Sequence, residues 1–119
     1  MRWVWGWLQE RRRARASGDA PIPPAPVITG STVVWVEGKG DVTLTITFDQ
    51  GSWPVATIEV YAYNYAGDFQ LVGTFASNGS SFVHHTGSTG EEDLIYRARY
   101  RNSSVVSPYS NEWPVGVWL

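Results

Sequence analysis

Few side chains in this sequence could do chemistry, and their spacing argues against most of it. His84 and His85 are adjacent. On a strand they would point to opposite faces, one packing inward and one facing solvent, so they would not chelate one ion together. Neither has a nucleophile to serve. Glu91-Glu92-Asp93 reads as a solvated acidic run in a loop, without the alternating oxygen ligands over about a dozen residues that a calcium loop needs. The absence of cysteine removes thiolate nucleophiles, disulfides and zinc sites of the cysteine type. There is no Gly-x-Ser-x-Gly elbow, phosphate-cradling glycine loop or His-Glu-x-x-His pair. No catalytic residue, metal or cofactor is expected, and the chain does not read as an enzyme.

Recognition chemistry is left, carried by aromatic and arginine side chains. The 119 residues include seven Trp, six Tyr and four Phe. Trp3, Trp5 and Trp7 fall within five positions, followed by Leu8 and then Arg11, Arg12, Arg13 and Arg15. Residues 1–17 hold five arginines against Glu10, a net +4, whereas the remainder holds four basic and ten acidic residues, a net −6. This is a basic arm on an acidic domain, a polarity that can orient the chain between two partners. If the arm is helical, Trp3, Trp7 and Leu8 share one face; a helix that short needs something to pack against.

Exposed indoles lower solubility unless they bury. The arm is therefore expected to dock into a partner protein of an assembly, with Trp3, Trp5, Trp7 and Leu8 in a pocket and Arg11, Arg12, Arg13 and Arg15 at its acidic rim. A membrane surface is the alternative, since Trp flanked by Arg suits an interface. Nucleic acid ranks behind both, because roughly four or five phosphate contacts give weak, salt-sensitive binding. The run Trp3-Val4-Trp5-Gly6-Trp7-Leu8 is too short for a signal peptide core or a membrane span.

A second candidate surface is Trp53 with Tyr61, Tyr63 and Tyr65, the tyrosines alternating along one strand face. Such residues could recognise a glycan or bury in a protein interface. For Trp35, Trp53, Trp113 and Trp118, core packing and loop anchoring compete with that role. No small-molecule substrate is expected.

The elements that must position these residues are strands. Pro21-Ile22-Pro23-Pro24-Ala25-Pro26 is a stiff, extended linker. It divides the chain into an arm over 1–20, a linker over 21–26 and a domain over 27–119. Beyond it the pattern has period two. Val42, Leu44, Ile46 and Phe48 face one side of the cleanest strand and the intervening threonines the other. Further strands are expected at 27–29, 32–36, 57–63, 69–75, 81–86, 94–101 and 112–118. Roughly seven short strands separated by turn signals, with no helical period, predict an all-β, two-sheet antiparallel sandwich.

Tyr96-Arg97-Ala98-Arg99-Tyr100-Arg101-Asn102, followed by Ser107-Pro108-Tyr109-Ser110-Asn111, resembles the F–G region of a fibronectin type III domain. Val42 to Thr45 resembles the B strand, Ile58 to Tyr61 the C strand, and Pro23 to Val27 the proline-rich start. The resemblance spans residues 23–118. Two positions depart from it: the family's B-strand tryptophan falls at Ile46 and its tyrosine-corner position at Leu94. No Arg-Gly-Asp adhesion motif is present. The resemblance implies a fibronectin type III-like or immunoglobulin-like sandwich that binds or builds. Small domains of this kind commonly decorate phage capsids and tails. The expectation is a structural or interaction subunit of a virion, with an adhesion module at a cell surface or outside the cell as the alternative.

Overall fold

The computed structural model describes residues 21–119, and every regular element among them is a strand. In chain order these are β1 (Val27–Val36), β2 (Lys39–Thr47), β3 (Thr57–Tyr63), β4 (Gln70–Ala76), β5 (Ser81–Ser88), β6 (Glu91–Asn102), β7 (Val105–Val106) and β8 (Trp113–Trp118). The first sheet has the order β1-β2-β5; the second has β4-β3-β6-β7, with β8 also paired to β6. All pairings are antiparallel. This is the expected two-sheet sandwich. The arm at residues 1–20, with Trp3, Trp5, Trp7, Leu8 and its arginines, lies outside the described residues.

Alternation decides which side chains meet between the sheets. Val42, Leu44 and Ile46 of β2 are buried, and so are Ile58, Val60 and Ala62 of β3. Ile28 of β1, Leu94, Tyr96, Ala98 and Tyr100 of β6 and Val115 and Val117 of β8 complete the core. Phe48 stacks on Tyr100 with ring centroids 4.6 Å apart and planes 5° from parallel. Pro23 and Pro26 are fully buried, so the proline segment is packed where the sequence suggested a spacer.

One turn is tightly defined, and two segments differ from the expectation. β1 and β2 are joined through Glu37 and Gly38, both at positive φ (51° and 78°), the conformation of a two-residue hairpin turn whose twist matches the strands. Glu91-Glu92-Asp93 was expected in a loop but opens β6, where Asp93 Oδ1 accepts the Trp118 indole N–H at 3.0 Å. Tyr65 is not on the strand with Tyr61 and Tyr63: β3 ends at Tyr63, and Tyr65 lies beyond it at φ 69°.

The last edge of the second sheet is broken between β7 and β8, and side chains carry the ladder across the break. Ser107 N–H donates to Tyr100 O (3.0 Å) and Ser110 N–H to Ala98 O (2.7 Å). In return the Ser107 hydroxyl accepts Tyr100 N–H and the Ser110 hydroxyl accepts Ala98 N–H, each at 2.9 Å. Two serine oxygens thus stand where two backbone carbonyls would, with Pro108, which has no N–H, between them. The next residue, Asn111, ties this segment to the other sheet. Its Oδ1 accepts Ile28 N–H (2.9 Å) and its Nδ2 donates to Ile28 O (3.0 Å).

Two further bonds join the sheets. The Trp113 indole donates to Ser31 Oγ at 2.9 Å, and His84 Nδ1 lies 2.7 Å from the Tyr96 hydroxyl. Burial, and then the nearby charge of His85, hold His84 below its ordinary value of 6.5 against the opposing pull of Asp41. Leu94, at the expected tyrosine-corner position, is buried as an apolar residue; the buried tyrosine hydroxyl nearby is that of Tyr96, and it meets an imidazole.

Replacing Ser110 by alanine leaves the Ala98 N–H buried without its acceptor. S110A is expected to lose about 1–3 kcal/mol of stability, read by urea unfolding. S104A, at an exposed position, should stay within about 0.5 kcal/mol of wild type.

Candidate functional site

Strand β6 lies between β3 and the β7/β8 edge, and its inward residues fix the direction of the others. With Tyr96, Ala98 and Tyr100 inside, Arg97, Arg99 and Arg101 stand on the outer face of the second sheet. The register sets Arg97 opposite Tyr61, Arg99 opposite Glu59 and Arg101 opposite Thr57. Three of the four basic residues in the described chain therefore share one strand face of an otherwise acidic domain.

Glu59 holds two of them. Its Oε1 accepts Arg99 Nε at 2.9 Å and the Tyr61 hydroxyl at 3.0 Å, and its Oε2 accepts Arg101 Nε at 2.8 Å. Arg99 Nη2 also donates to the Tyr61 oxygen at 3.1 Å. The Glu59 side chain is only 12% exposed. Burial pushes its carboxyl up, but the hydrogen bonds from Arg99, Tyr61 and Arg101 outweigh that and hold it below the ordinary 4.5. Burial and the bond to Glu59 raise the Tyr61 phenol.

Arg97 is held differently. Its guanidinium carbon sits 4.0 Å from the centre of the Phe69 ring and 3.8 Å from that of Tyr109, the geometry of a cation between two π faces. Tyr109 is shared: Arg99 lies 4.9 Å from its centre, and Tyr61 meets it edge to face at 5.5 Å. Tyr63 continues the row, 5.4 Å from Phe69 and 4.9 Å from Tyr65. The result is a continuous arginine–aromatic band running from Tyr65 to Arg101.

Of the surface residues expected from sequence, Tyr61, Tyr63 and Tyr65 come together in this band. Trp53 does not. It is half-buried against the core, edge-on to Tyr100 at 6.2 Å, and its carbonyl accepts Gln50 Nε2, so it anchors its own loop. Arg97, Arg99, Phe69 and Tyr109, which the sequence reading does not single out, lie in the same band. The signal for the arginines was present in their alternation with Tyr96, Ala98 and Tyr100, whereas Phe69 and Tyr109 reach the face from a loop and a broken edge.

The histidines separate as strand neighbours must. His84 turns inward to Tyr96, and His85, with its side chain 77% exposed, pairs with Asp41 at 3.0 Å. Among the described residues, no group of three or more His, Cys, Asp or Glu side chains is placed to hold a metal ion.

No family model and no curated protein matches the sequence. Solved structures do resemble the chain. One, of titin kinase and its flanking domains, matches over 81% of this chain and 17% of that one, with TM-score 0.59 and 20% identity. Another, of domains A168–A170 from titin, matches over 81% of this chain and 32% of that one, with TM-score 0.60 and 21% identity. The fold is an immunoglobulin- or fibronectin type III-like sandwich. At this identity the likeness is one of fold, and this chain spans less than a third of either structure.

The lowered Glu59 carboxyl fixes a sign for acid stability. A group whose folded value lies below its unfolded one stabilises the fold above the unfolded value and ceases to do so as pH falls through the folded one. Wild type is expected to unfold at a higher temperature than E59Q at pH 7. The gap should shrink as pH falls below about 4.5, read from thermal midpoints at pH 7, 4 and 3. A gap independent of pH would contradict the ion-pair account.

Proposed function

We propose that the chain is a non-enzymatic interaction module of a larger assembly. Residues 1–20 hold it there, and the outer face of the second sheet meets a protein partner. The observation that carries this reading is the Tyr65-to-Arg101 band. It unites tyrosines and arginines, the residue types that dominate binding energy at protein interfaces, on a face that a neighbouring β-sandwich or loop could cover. Tyr65 and Leu71, 59% and 54% exposed, border it with apolar surface. The arm's part is carried by its sequence, in which Trp3, Trp5, Trp7 and Leu8 need burial and Arg11, Arg12, Arg13 and Arg15 suit an acidic rim.

The assembly we name is a virion, with the chain as an accessory subunit of capsid or tail. This rests on analogy with small sandwiches that decorate phage particles. For a glycan the band is less suited. The rings of Tyr109 and Phe69 are already covered by guanidinium groups, which leaves little free aromatic face for a sugar to stack upon.

Particles purified from the source should contain the chain in multiple stoichiometric copies, counted by quantitative mass spectrometry. Its absence from them rules out the virion reading. Deletion of residues 2–20 is expected to remove it from the particle while leaving the thermal midpoint of the sandwich unchanged. If the deletion instead abolishes only binding to anionic vesicles, the arm is a membrane anchor. The double variant Y65A/L71S is expected to keep the chain on the particle but weaken contact with the partner of the second sheet, measured by cross-linking yield.

A further inference from the structure

The three arginines of the band are not equivalent. Arg99 and Arg101 are consumed by Glu59. The Arg97 side chain makes no ion pair and no hydrogen bond among the described residues, and its Nε is buried without a partner. Glu112, one step beyond the Tyr96–Trp113 pair of β6 and β8, forms no ion pair with it. Phe69 and Tyr109 cover the two faces of the guanidinium. Only its far edge, the two Nη nitrogens, is left to meet another molecule.

We propose that this edge of Arg97 is a receptor for a carboxylate on an acidic segment of the partner protein. The proposal rests on reading this face as the recognition surface. A guanidinium is a planar fork whose two terminal nitrogens match the two oxygens of a carboxylate. Fixed between two rings, it gives up little side-chain freedom on binding. The rings also keep water from its faces, so a charge-assisted bond there is stronger than on an open surface. The local charge has the right sign: three arginines are set against Glu59 on this face, while the described residues are otherwise acidic. Leu71 and Tyr61 lie in the same row as Arg97 across β4, β3 and β6. The segment that fits therefore carries an apolar side chain beside its acidic one.

The test follows the side-chain Nε–H of Arg97 by 15N–1H NMR in the full chain, titrated with hexaglutamate and, separately, hexaglutamine. Hexaglutamate should shift this resonance saturably, less so as salt is raised, and hexaglutamine should not. R97K keeps the charge but loses the fork, and is expected to weaken hexaglutamate binding about tenfold. Equal shifts with the two peptides, shifts confined to Arg99 and Arg101, or unchanged affinity in R97K would overturn the proposal. If R97K does not fold, the wild-type titration decides alone. The recognition reading fails separately. Should hexaglutamate leave Arg97 unmoved while Y65A/L71S still lowers cross-linking to the partner, the carboxylate assignment falls and the face stands. Should Y65A/L71S change nothing, the face itself is wrong.

Discussion

A strand can send only every second side chain inward, and in β6 that constraint sets both halves of the molecule. Tyr96, Ala98 and Tyr100 are fully buried, so the intervening arginines have nowhere to go but the opposite face. Shifting the register by one residue would bury three guanidinium groups and expose two tyrosines, at a cost no sandwich of this size could absorb. The core therefore does more than stabilise. By choosing one parity for β6 it places three positive charges in a line on the outer face. β3, paired to β6 along seven residues, brings Glu59 and Tyr61 opposite them by the same rule.

That line is ordered because the edge beside it is broken. A continuous final strand would have run past β6 with its side chains alternating in and out. The segment from Ser107 to Ser110 instead departs from regular pairing, and the two serine hydroxyls take over the acceptor positions. This frees Tyr109 to lie across the face and fill the space between Arg97 and Arg99. Asn111 then returns the chain to β1 in the other sheet through both of its amide groups. The break, the ring and the bond between sheets form one unit of five residues. It turns a sheet edge, a liability for unwanted pairing, into the side wall of a cationic band.

Much of this was legible in the sequence, for physical reasons that differ by element. The sandwich was, because period-two alternation in 42–48 and 57–63 reflects a one-sided burial that nothing else reproduces. The Ser-Pro-Tyr-Ser-Asn segment is recognisable by its resemblance to the F–G region, and its two serines answer the backbone of β6. The band was only half legible. Tyr61 and Tyr63 announce themselves by spacing, but Phe69 and Tyr109 join them through tertiary contacts that no local pattern encodes. Spacing alone sets Tyr65 on the face of Tyr61 and Tyr63, although the expected strand stops at residue 63, and the positive φ at Tyr65 that takes it out of line has no sequence signature of the glycine kind. For Trp53 the sequence leaves surface recognition and core packing both open, and Tyr100, a neighbour distant in sequence, takes it to the core. The acidic run at Glu91 looked like a loop because three carboxylates seldom open a strand; the Trp118 indole, bonding Asp93 across from β8, is what accommodates one of them there.

The two ways in which this face holds its arginines have different consequences. Glu59 binds Arg99 and Arg101 with directed hydrogen bonds that neutralise one of their two charges and fix both side chains. Phe69 and Tyr109 hold Arg97 without neutralising it, because a ring quadrupole attracts a cation but carries no net charge. The first arrangement fixes its side chains by directed bonds; the second leaves one positive charge uncompensated among the described residues yet positioned. A lone arginine on an open surface is fully hydrated and mobile, and ordering it on contact would offset much of the gain. Arg97 has already given up that freedom in the folded chain. An acidic partner would meet a preorganised charge, which is the physical difference between a basic patch and a site.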